Sequence, residues 1–201
     1  MQRVGIMGGS FNPIHIGHLM LAKEAYHQFN LDYVLVMPNR HPVYKDASQL
    51  LSDDKRAQMI KLAIQNDSYL VYSDLELKRS GNTYTVDTLY ELHEKHPDTE
   101  YYFILGGDSL AYLDQWYQYE KILEQAVILC ARRGKNDYNQ LVEIREHLVE
   151  NNPKARIEFL KTDFVPISSS ELRIRLSRHE DVSDWIPGNV LSYIIENKLY
   201  M

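Results

Sequence analysis

Near its start the chain reads Val4-Gly5-Ile6-Met7-Gly8-Gly9-Ser10-Phe11-Asn12-Pro13-Ile14-His15-Ile16-Gly17-His18. A short apolar run leads into small residues and a proline-bearing turn, and two histidines three positions apart follow. This order predicts a strand, a tight turn and the N-terminus of a helix, where backbone N–H groups and the helix dipole favour an anion. His15 and His18 are expected to share one face of the first helical turn. The stretch therefore predicts a polyphosphate site beyond the carboxyl end of a strand.

Composition limits the classes of protein that this chain can belong to. At 201 residues, with 44% hydrophobic and 25% charged residues, it is expected to form one domain over residues 1–201, with a small helical part over about 165–201. A formal net charge of −6 argues against a general nucleic-acid binder, which normally carries a basic face. The sequence leaves the oligomeric state open, and a homo-oligomer is compatible with it.

The single cysteine indicates a reducing compartment, and the hydropathy pattern indicates no membrane span. The single cysteine, Cys130, cannot form an internal disulfide and is expected to be a small buried hydrophobic residue. No apolar run approaches the ~20 residues of a membrane span, and the N-terminus lacks the pattern of a signal peptide. We therefore expect a cytoplasmic protein without a membrane partner.

Apolar runs alternate with helical periodicities along the chain. The predicted strands are Gln2–Met7, Asp32–Met37, Tyr69–Tyr72, Glu100–Leu105, Ala126–Ala131 and a sixth candidate, Arg156–Leu160. The predicted helices are Gly17–Phe29, one capped by Ser52, Tyr84–His96, Tyr138–Glu150, Ser168–Arg178 and Gly188–Leu199. This alternation predicts a Rossmann-like α/β fold: a doubly wound parallel sheet of five to six strands with helices on both faces.

Three distinctive segments follow predicted strands: Gly8–His18, Gly106–Asp108 and Ser168–Arg173. Open parallel sheets bind ligands beyond the carboxyl ends of their strands, so the three segments are expected to meet at one edge. The serine run has two interpretations that the sequence leaves open. It is either a redundant helix N-cap or, with Arg173 one turn into the helix, an anion cradle.

Other ligand-binding motifs are not supported by these residues. The spacing of His15 and His18 is compatible with zinc, but the lone cysteine and the dispersed remaining histidines add no ligand pattern. The glycines form neither the G-x-G-x-x-G dinucleotide fingerprint nor a Walker A loop. A dehydrogenase and a P-loop kinase are therefore not indicated.

The N-terminal stretch and Ile167-Ser168-Ser169-Ser170-Glu171-Leu172-Arg173 together resemble the (H/T)xGH nucleotidyltransferase superfamily. Within it, the chain is most similar to the bacterial nicotinate-nucleotide adenylyltransferases. Further similar stretches, in the same order, are Met37-Pro38-Asn39, Lys45, Ser80–Thr88, Gly106-Gly107-Asp108, Trp116-Tyr117 and Arg132-Arg133. The resemblance covers essentially the whole chain, and the segments at Tyr84–Thr88 and Trp116-Tyr117 narrow it to the nicotinate enzymes.

The resemblance implies transfer of AMP from ATP to nicotinate mononucleotide, giving deamido-NAD and pyrophosphate in NAD biosynthesis. The acceptor phosphate would attack directly and in line, without a covalent enzyme intermediate. Mg²⁺ would bridge the ATP phosphates and need few protein ligands. The alternatives are a phosphopantetheine adenylyltransferase or a cytidylyltransferase, which share the histidine and serine motifs, and a non-catalytic nucleotide-binding module on the same fold.

The resemblance also implies roles for individual residues. His18 and His15 would be the catalytic pair. His18 would form a hydrogen bond with the α-phosphate, and His15 would orient the polyphosphate. The other ATP-binding residues would be Gly8, Gly9, Ser10, Phe11, Gly106, Asp108, Ile167, Ser168, Ser169, Ser170 and Arg173. The residues that bind nicotinate mononucleotide would be Asn39, Lys45, Thr85, Trp116, Tyr117 and Arg133.

Four of these residues also have an ordinary structural interpretation. Lys45 can be a solvated loop lysine, Trp116 a core residue, Asp108 a helix cap and Arg133 a surface arginine. One stretch departs from the family, because this chain has His41-Pro42-Val43-Tyr44-Lys45 where Pro-Pro-His-Lys is common.

Overall fold

Strands and helices alternate through residues 1–40, 50–131, 138–162 and 166–201, which are the residues that the computed structural model describes. The strands are β1 (Gln2–Gly9), β2 (Tyr33–Pro38), β3 (Leu70–Tyr72), β4 (Thr99–Gly106), β5 (Ala126–Ala131) and β6 (Arg156–Leu160). The helices are α1 (Ile16–Gln28), α2 (Asp53–Ile64), α3 (Thr85–Lys95), α4 (Gly107–Leu110), α5 (Tyr119–Gln125), α6 (Tyr138–Asn151), α7 (Ser169–Ser177) and α8 (Gly188–Glu196).

The six strands form one sheet in the order β3-β2-β1-β4-β5-β6, and every neighbouring pair is parallel. This confirms the predicted doubly wound parallel sheet, including its sixth strand. The strand order changes direction between β1 and β4, whose adjacent residues include Met7 and Ile104. Connections leave the sheet in opposite directions there, so a crevice opens beyond the carboxyl ends of these two strands.

Helices cover both faces of the sheet, as predicted. Alternate strand residues point to opposite faces. Ile104 of β4 therefore belongs to an apolar cluster with residues of α1, α2, α7 and α8, while Phe103 belongs to a second cluster with residues of α3, α5 and α6. β5 contributes in the same way, with Leu129 on the first face and Ile128 on the second. Two apolar layers therefore hold the sheet rigidly between them.

The two C-terminal helices belong to the same apolar layer as α1. Leu172 of α7 and Val190 of α8 are fully buried in the cluster that contains Ala22 and Ala25 of α1. This packing brings the serine segment at the start of α7 next to the N-terminal loop. Among the described residues, no helix is both long enough and apolar enough to cross a membrane.

Most predicted boundaries lie within three residues of the observed ones. β5 and β6 match the predicted ranges, and β1 runs two residues further than predicted because Gly8 and Gly9 still pair with Met37 and Pro38 of β2. Ser52 occupies the N-cap position of α2, but its side chain makes no capping hydrogen bond. Asp53 and Asp54 lie in the first turn instead, where carboxylates interact favourably with the helix dipole.

Candidate active site

A cavity of about 900 Å³ lies at the carboxyl ends of β1 and β4. All three segments that were predicted to meet at one edge line it. The first contributes Gly8, Gly9, Ser10, His15 and His18, the second Gly106 and Asp108, and the third Ile167, Ser168, Ser169, Ser170 and Arg173. Asn39, Thr85, Trp116 and Tyr117 also line the cavity. Lys45 and Arg133 lie outside the described residues.

The two histidines sit at the start of α1. His15 is the N-cap residue, with extended backbone angles (φ −146°, ψ 170°), and His18 is the third residue of the helix. The ring centroids are 3.7 Å apart, and the backbone N–H of His15 donates to Nδ1 of His18 at 3.3 Å. Since Nδ1 accepts, the proton of a neutral His18 ring lies on Nε2, which makes Nε2–H a hydrogen-bond donor.

Phe11 lies behind this pair rather than in the cavity wall. Its side chain is buried, and its ring meets the His18 ring edge-on, with the centroids 5.0 Å apart. Its backbone is in the left-handed region, with φ of 45°, which is uncommon for a residue with a bulky side chain. The side chain of Phe11 therefore supports the His18 ring, and its contact with ATP stays a prediction from the sequence.

One backbone amide at the start of α1 is hydrogen-bonded within the protein. The N–H of Ile16, the first residue of α1, donates to the carbonyl oxygen of Trp185 at 2.9 Å. The turn that precedes α8 therefore packs against the start of α1.

The serine segment at the start of α7 is a helix cap, which is one of the two interpretations that the sequence left open, and it also lines the cavity. Ser168 is the N-cap residue, and its Oγ accepts from the N–H of Glu171 at 3.2 Å. Ser169 Oγ donates to the carbonyl oxygen of Pro13 at 2.9 Å. The segment is thus a helix cap and, at the same time, a wall of the cavity joined to the N-terminal loop.

Arg173 brings positive charge to the same wall. One Nη donates to the carbonyl oxygen of Asn12 at 2.9 Å, and the other donates to Ser170 Oγ at 3.3 Å. An arginine held by a fixed carbonyl presents its remaining N–H groups in a defined direction, as phosphate recognition requires.

Two residues that sequence reasoning missed hold the N-terminal loop from its buried side. Arg56 is 0% exposed and donates to the carbonyl oxygens of Ser10 (2.8 Å) and Leu51 (3.2 Å) and to Asp53 (2.6 Å). Tyr200 donates its hydroxyl to Asn12 Oδ1 at 2.7 Å. A charged residue on the apolar face of α2 is a signal that could have revealed Arg56, whereas the sequence offers none for Tyr200.

Trp116 and Tyr117 form an aromatic part of the lining, the aromatic wall. Trp116 follows a short 3₁₀ turn (Leu113–Gln115), and its ring meets the Phe103 ring edge-on, at 6.1 Å and 88°. Tyr117 is half exposed, and its ring centroid lies 4.7 Å from that of Tyr84, next to the start of α3 at Thr85. Trp116 therefore packs against the sheet and also lines the cavity.

Polar atoms without protein partners accompany these rings. Asn39 Oδ1 and Thr83 Oγ1 are buried and have no hydrogen-bond partner within the described parts of the chain, and both residues line the cavity. Buried polar groups of this kind are usually satisfied by a ligand or by water. Thr83 was not singled out from the sequence, although it lies within the Ser80–Thr88 stretch that carried the resemblance.

Two further buried groups have altered acidity. Burial raises the pKa of the Glu76 carboxyl, which accepts from Thr88 Oγ1 at 2.8 Å. Burial, assisted by the negative charge of Asp108, raises the pKa of the Cys130 thiol to about 12. Cys130 is 0% exposed, which confirms that it is a buried small residue.

Fold and cavity together define a class of protein: a doubly wound parallel α/β protein whose cavity, at the carboxyl edge of the sheet, is lined by the starts of α1 and α7. Residues 6–175 match the family model described as cytidylyltransferase-like. Two relatives share the name "probable nicotinate-nucleotide adenylyltransferase". That of Lachnoclostridium phytofermentans is 44% identical over 201 residues, covering 100% of both chains. That of Bacillus cytotoxicus is 39% identical over 205 residues, covering 100% of this chain and 99% of the relative.

A solved structure gives the same assignment. Plasmodium falciparum nicotinic acid mononucleotide adenylyltransferase, complexed with NaAD, is 26% identical with a TM-score of 0.81, covering 100% of this chain and 98% of that chain. The present chain belongs to the cytidylyltransferase-like family and, within it, to the nicotinate-nucleotide adenylyltransferases.

Proposed function

We propose that this chain transfers the adenylyl group of ATP to nicotinate mononucleotide, forming deamido-NAD (NaAD) and pyrophosphate in NAD biosynthesis. The observation that carries the proposal is that one cavity joins the histidine pair to Arg173 and the serine helix. Relatives that match along their whole length and bear the corresponding name support it.

The chemistry requires positioning and charge stabilisation more than a reactive side chain. An oxygen of the acceptor 5′-phosphate attacks the α-phosphorus of ATP, the bond from that phosphorus to the bridging oxygen breaks, and pyrophosphate leaves with the electron pair. In the proposed mechanism, His18 Nε2–H donates to an α-phosphate oxygen as charge builds there, and His15 orients the polyphosphate. No covalent intermediate on the protein is needed.

The remaining donor-side residues hold the rest of ATP. Arg173 and the helix start at Ser168–Ser170 bind the β- and γ-phosphates, and Asp108 binds the ribose hydroxyls. The full donor set in this proposal is Gly8, Gly9, Ser10, His15, His18, Gly106, Asp108, Ile167, Ser168, Ser169, Ser170 and Arg173, all of which line the cavity.

The acceptor occupies the aromatic wall in this proposal. Trp116 stacks on the pyridine ring, and backbone N–H groups of Thr85 and Tyr117 bind the nicotinate carboxylate. Asn39, with its buried Oδ1, faces the same ligand. Contacts of Lys45 with the acceptor phosphate, and of Arg133 with the acceptor, remain predictions from the sequence.

Mg²⁺ enters with ATP as part of the substrate in this account. Among the residues that the structure describes, no three His, Cys, Asp or Glu side chains cluster as a metal site. We therefore propose that the ATP phosphates and water supply most of the ligands, as is usual for Mg²⁺ at nucleotide sites. The proposed location is the cytoplasm, in keeping with a single buried thiol.

An acceptor comparison tests the function. Purified protein with MgATP is given nicotinate mononucleotide, nicotinamide mononucleotide or phosphopantetheine, and pyrophosphate release is measured. We expect the highest kcat/KM with nicotinate mononucleotide. Release with phosphopantetheine alone would identify a sister enzyme, and absence of turnover with every acceptor would favour a non-catalytic nucleotide-binding module.

A further inference from the structure

The loop Ser10–Pro13 leads from β1 to the histidine pair, and side chains from other elements hold its carbonyl groups. Arg56 of α2 donates to Ser10, Arg173 of α7 donates to Asn12, and Ser169 donates to Pro13. Three successive attachment points along four residues fix the backbone path into α1. The position of His15 and His18 therefore depends on groups that lie outside their own segment.

Tyr200 adds an attachment from near the C-terminus, 188 residues from Asn12. Its hydroxyl and the backbone N–H of Leu51 both donate to Asn12 Oδ1, at 2.7 and 3.3 Å. Two donors at one atom identify that atom as the amide oxygen and fix the side-chain orientation. The Asn12 side chain thus ties the loop to the C-terminal turn and to the segment before α2.

The surroundings of Tyr200 suit a permanent donor. Leu199 beside it is buried in the same apolar layer as α1, which anchors the turn. Burial raises the pKa of the Tyr200 hydroxyl, and the charges of Arg173 and Arg56 oppose this effect without cancelling it. The hydroxyl therefore keeps its proton at neutral pH and donates it to Asn12.

We propose that Tyr200 is a positioning residue for adenylyl transfer, acting through Asn12 to fix the loop that places His15 and His18. The proposal rests on the proposed function. Tyr200 is not among the residues that line the cavity, so it acts on the loop rather than on a substrate. A small displacement of reacting groups lowers kcat strongly. The residues proposed to bind nicotinate mononucleotide at the aromatic wall lie outside this loop, so we expect the affinity for that substrate to be retained.

The test is Tyr200→Phe, which keeps the ring and removes only the hydroxyl. Its matched control is Tyr193→Phe on α8, because Tyr193 packs against the same apolar layer and does not line the cavity. We expect Tyr200→Phe to lower kcat by about tenfold, with the KM for nicotinate mononucleotide unchanged within about twofold. Tyr193→Phe should leave both constants at the wild-type values.

A double-mutant cycle tests the route through Asn12. If the hydroxyl acts through that side chain, adding Tyr200→Phe to Asn12→Ala should lower kcat no further. Independent, additive losses would overturn the proposal. So would a Tyr200→Phe enzyme with a lower unfolding midpoint but unchanged kcat, because that result describes a structural anchor only.

The wild-type control separates this proposal from the function on which it rests. If wild-type protein used a different acceptor, the proposed function would fail, and the same comparison with that acceptor would still decide the role of Tyr200. A wild-type protein inactive with every acceptor would overturn both proposals.

Discussion

The backbone N–H of His15 donates to Nδ1 of His18, and the two rings lie with their centroids 3.7 Å apart. A histidine N-cap and a histidine at the third helical position thus take the places that Ser or Thr and Glu occupy in an ordinary capping box. The arrangement fixes the His18 ring and directs a donor, Nε2–H, away from the helix. Local helix capping and the proposed catalytic contact therefore use the same side chain.

His18→Ala should lower kcat by about 10²–10³-fold, the usual cost of removing one donor that stabilises developing charge. The KM for nicotinate mononucleotide should change little, since the acceptor wall lies elsewhere. Steady-state pyrophosphate release measures both constants, and circular dichroism checks the fold. His27→Ala is the matched control, because His27 is exposed in the last turn of the same helix. Normal turnover by His18→Ala would contradict the assigned role.

Arg173→Ala should weaken ATP binding by about tenfold or more, because charge-assisted hydrogen bonds to the phosphates are lost. Arg173→Lys should recover only part of the affinity, since an ammonium group cannot bond Asn12 and a phosphate as a planar fork does. Calorimetric titration with a non-hydrolysable ATP analogue gives the dissociation constants. Arg178→Ala, at the exposed end of α7, is the control. Equal affinities for Arg173→Ala and the control would exclude Arg173 from the ATP site.

Trp116→Ala should raise the KM for nicotinate mononucleotide by about tenfold while leaving the KM for ATP unchanged, because only the acceptor loses its stacking surface. Trp116→Phe keeps an aromatic face, so its KM for nicotinate mononucleotide should lie between those of the wild type and Trp116→Ala. Initial rates with each substrate varied in turn provide the measurement. If Trp116→Ala raised the KM for ATP instead, the donor and acceptor walls would be wrongly assigned.

Glu76→Gln should stabilise the protein at neutral pH. Burial raises the pKa of this carboxyl in the folded state, so its contribution to stability is present below the ordinary carboxyl pKa and is lost as pH rises through the raised value. Glutamine can still accept from Thr88 and carries no charge. The variant's free energy of unfolding should exceed that of wild type at pH 8, and the difference should vanish near pH 4.

Glu91→Gln provides a control, because the pKa of Glu91 is shifted in the direction opposite to that of Glu76. Hydrogen bonds from Lys95 and Arg79 lower the pKa of Glu91, so its stabilisation is present above the ordinary carboxyl pKa and is lost as pH falls. Denaturant titrations at pH 4 and pH 8 distinguish the two variants. If Glu76→Gln were the less stable protein at pH 8, the effect of burial on Glu76 would be contradicted.

Sequence reasoning predicted the architecture because local patterns decide it. Continuous apolar runs such as Ala126–Ala131 indicate strands buried on both faces, and the alternation with amphipathic helices leaves a parallel sheet as the consistent arrangement. The same logic brought Gly8–His18, Gly106–Asp108 and Ser168–Arg173 to one edge. All three do line one cavity.

The contacts behind the cavity wall could not be predicted from local sequence patterns, because they depend on tertiary packing. Tyr200 and Asn12 are 188 residues apart in the sequence, and they form a hydrogen bond only because the chain folds them together. No sequence periodicity predicts such a bond between the turn at Tyr200 and the N-terminal loop. The hydrogen bond from the Ile16 amide to the Trp185 carbonyl likewise joins α1 to a turn that is distant in the sequence. Arg56 alone left a sequence signal, as a charge among the apolar positions of α2.

In the proposed function, the histidine and serine-arginine walls bind ATP and the aromatic wall selects nicotinate mononucleotide. A competition experiment tests it most directly: wild-type protein receives MgATP and an equimolar mixture of nicotinate mononucleotide, nicotinamide mononucleotide and phosphopantetheine, and the products are identified by mass spectrometry. We expect deamido-NAD as the main product, formed in a one-to-one ratio with pyrophosphate. Dephospho-coenzyme A as the main product, or pyrophosphate release without any dinucleotide, would contradict it.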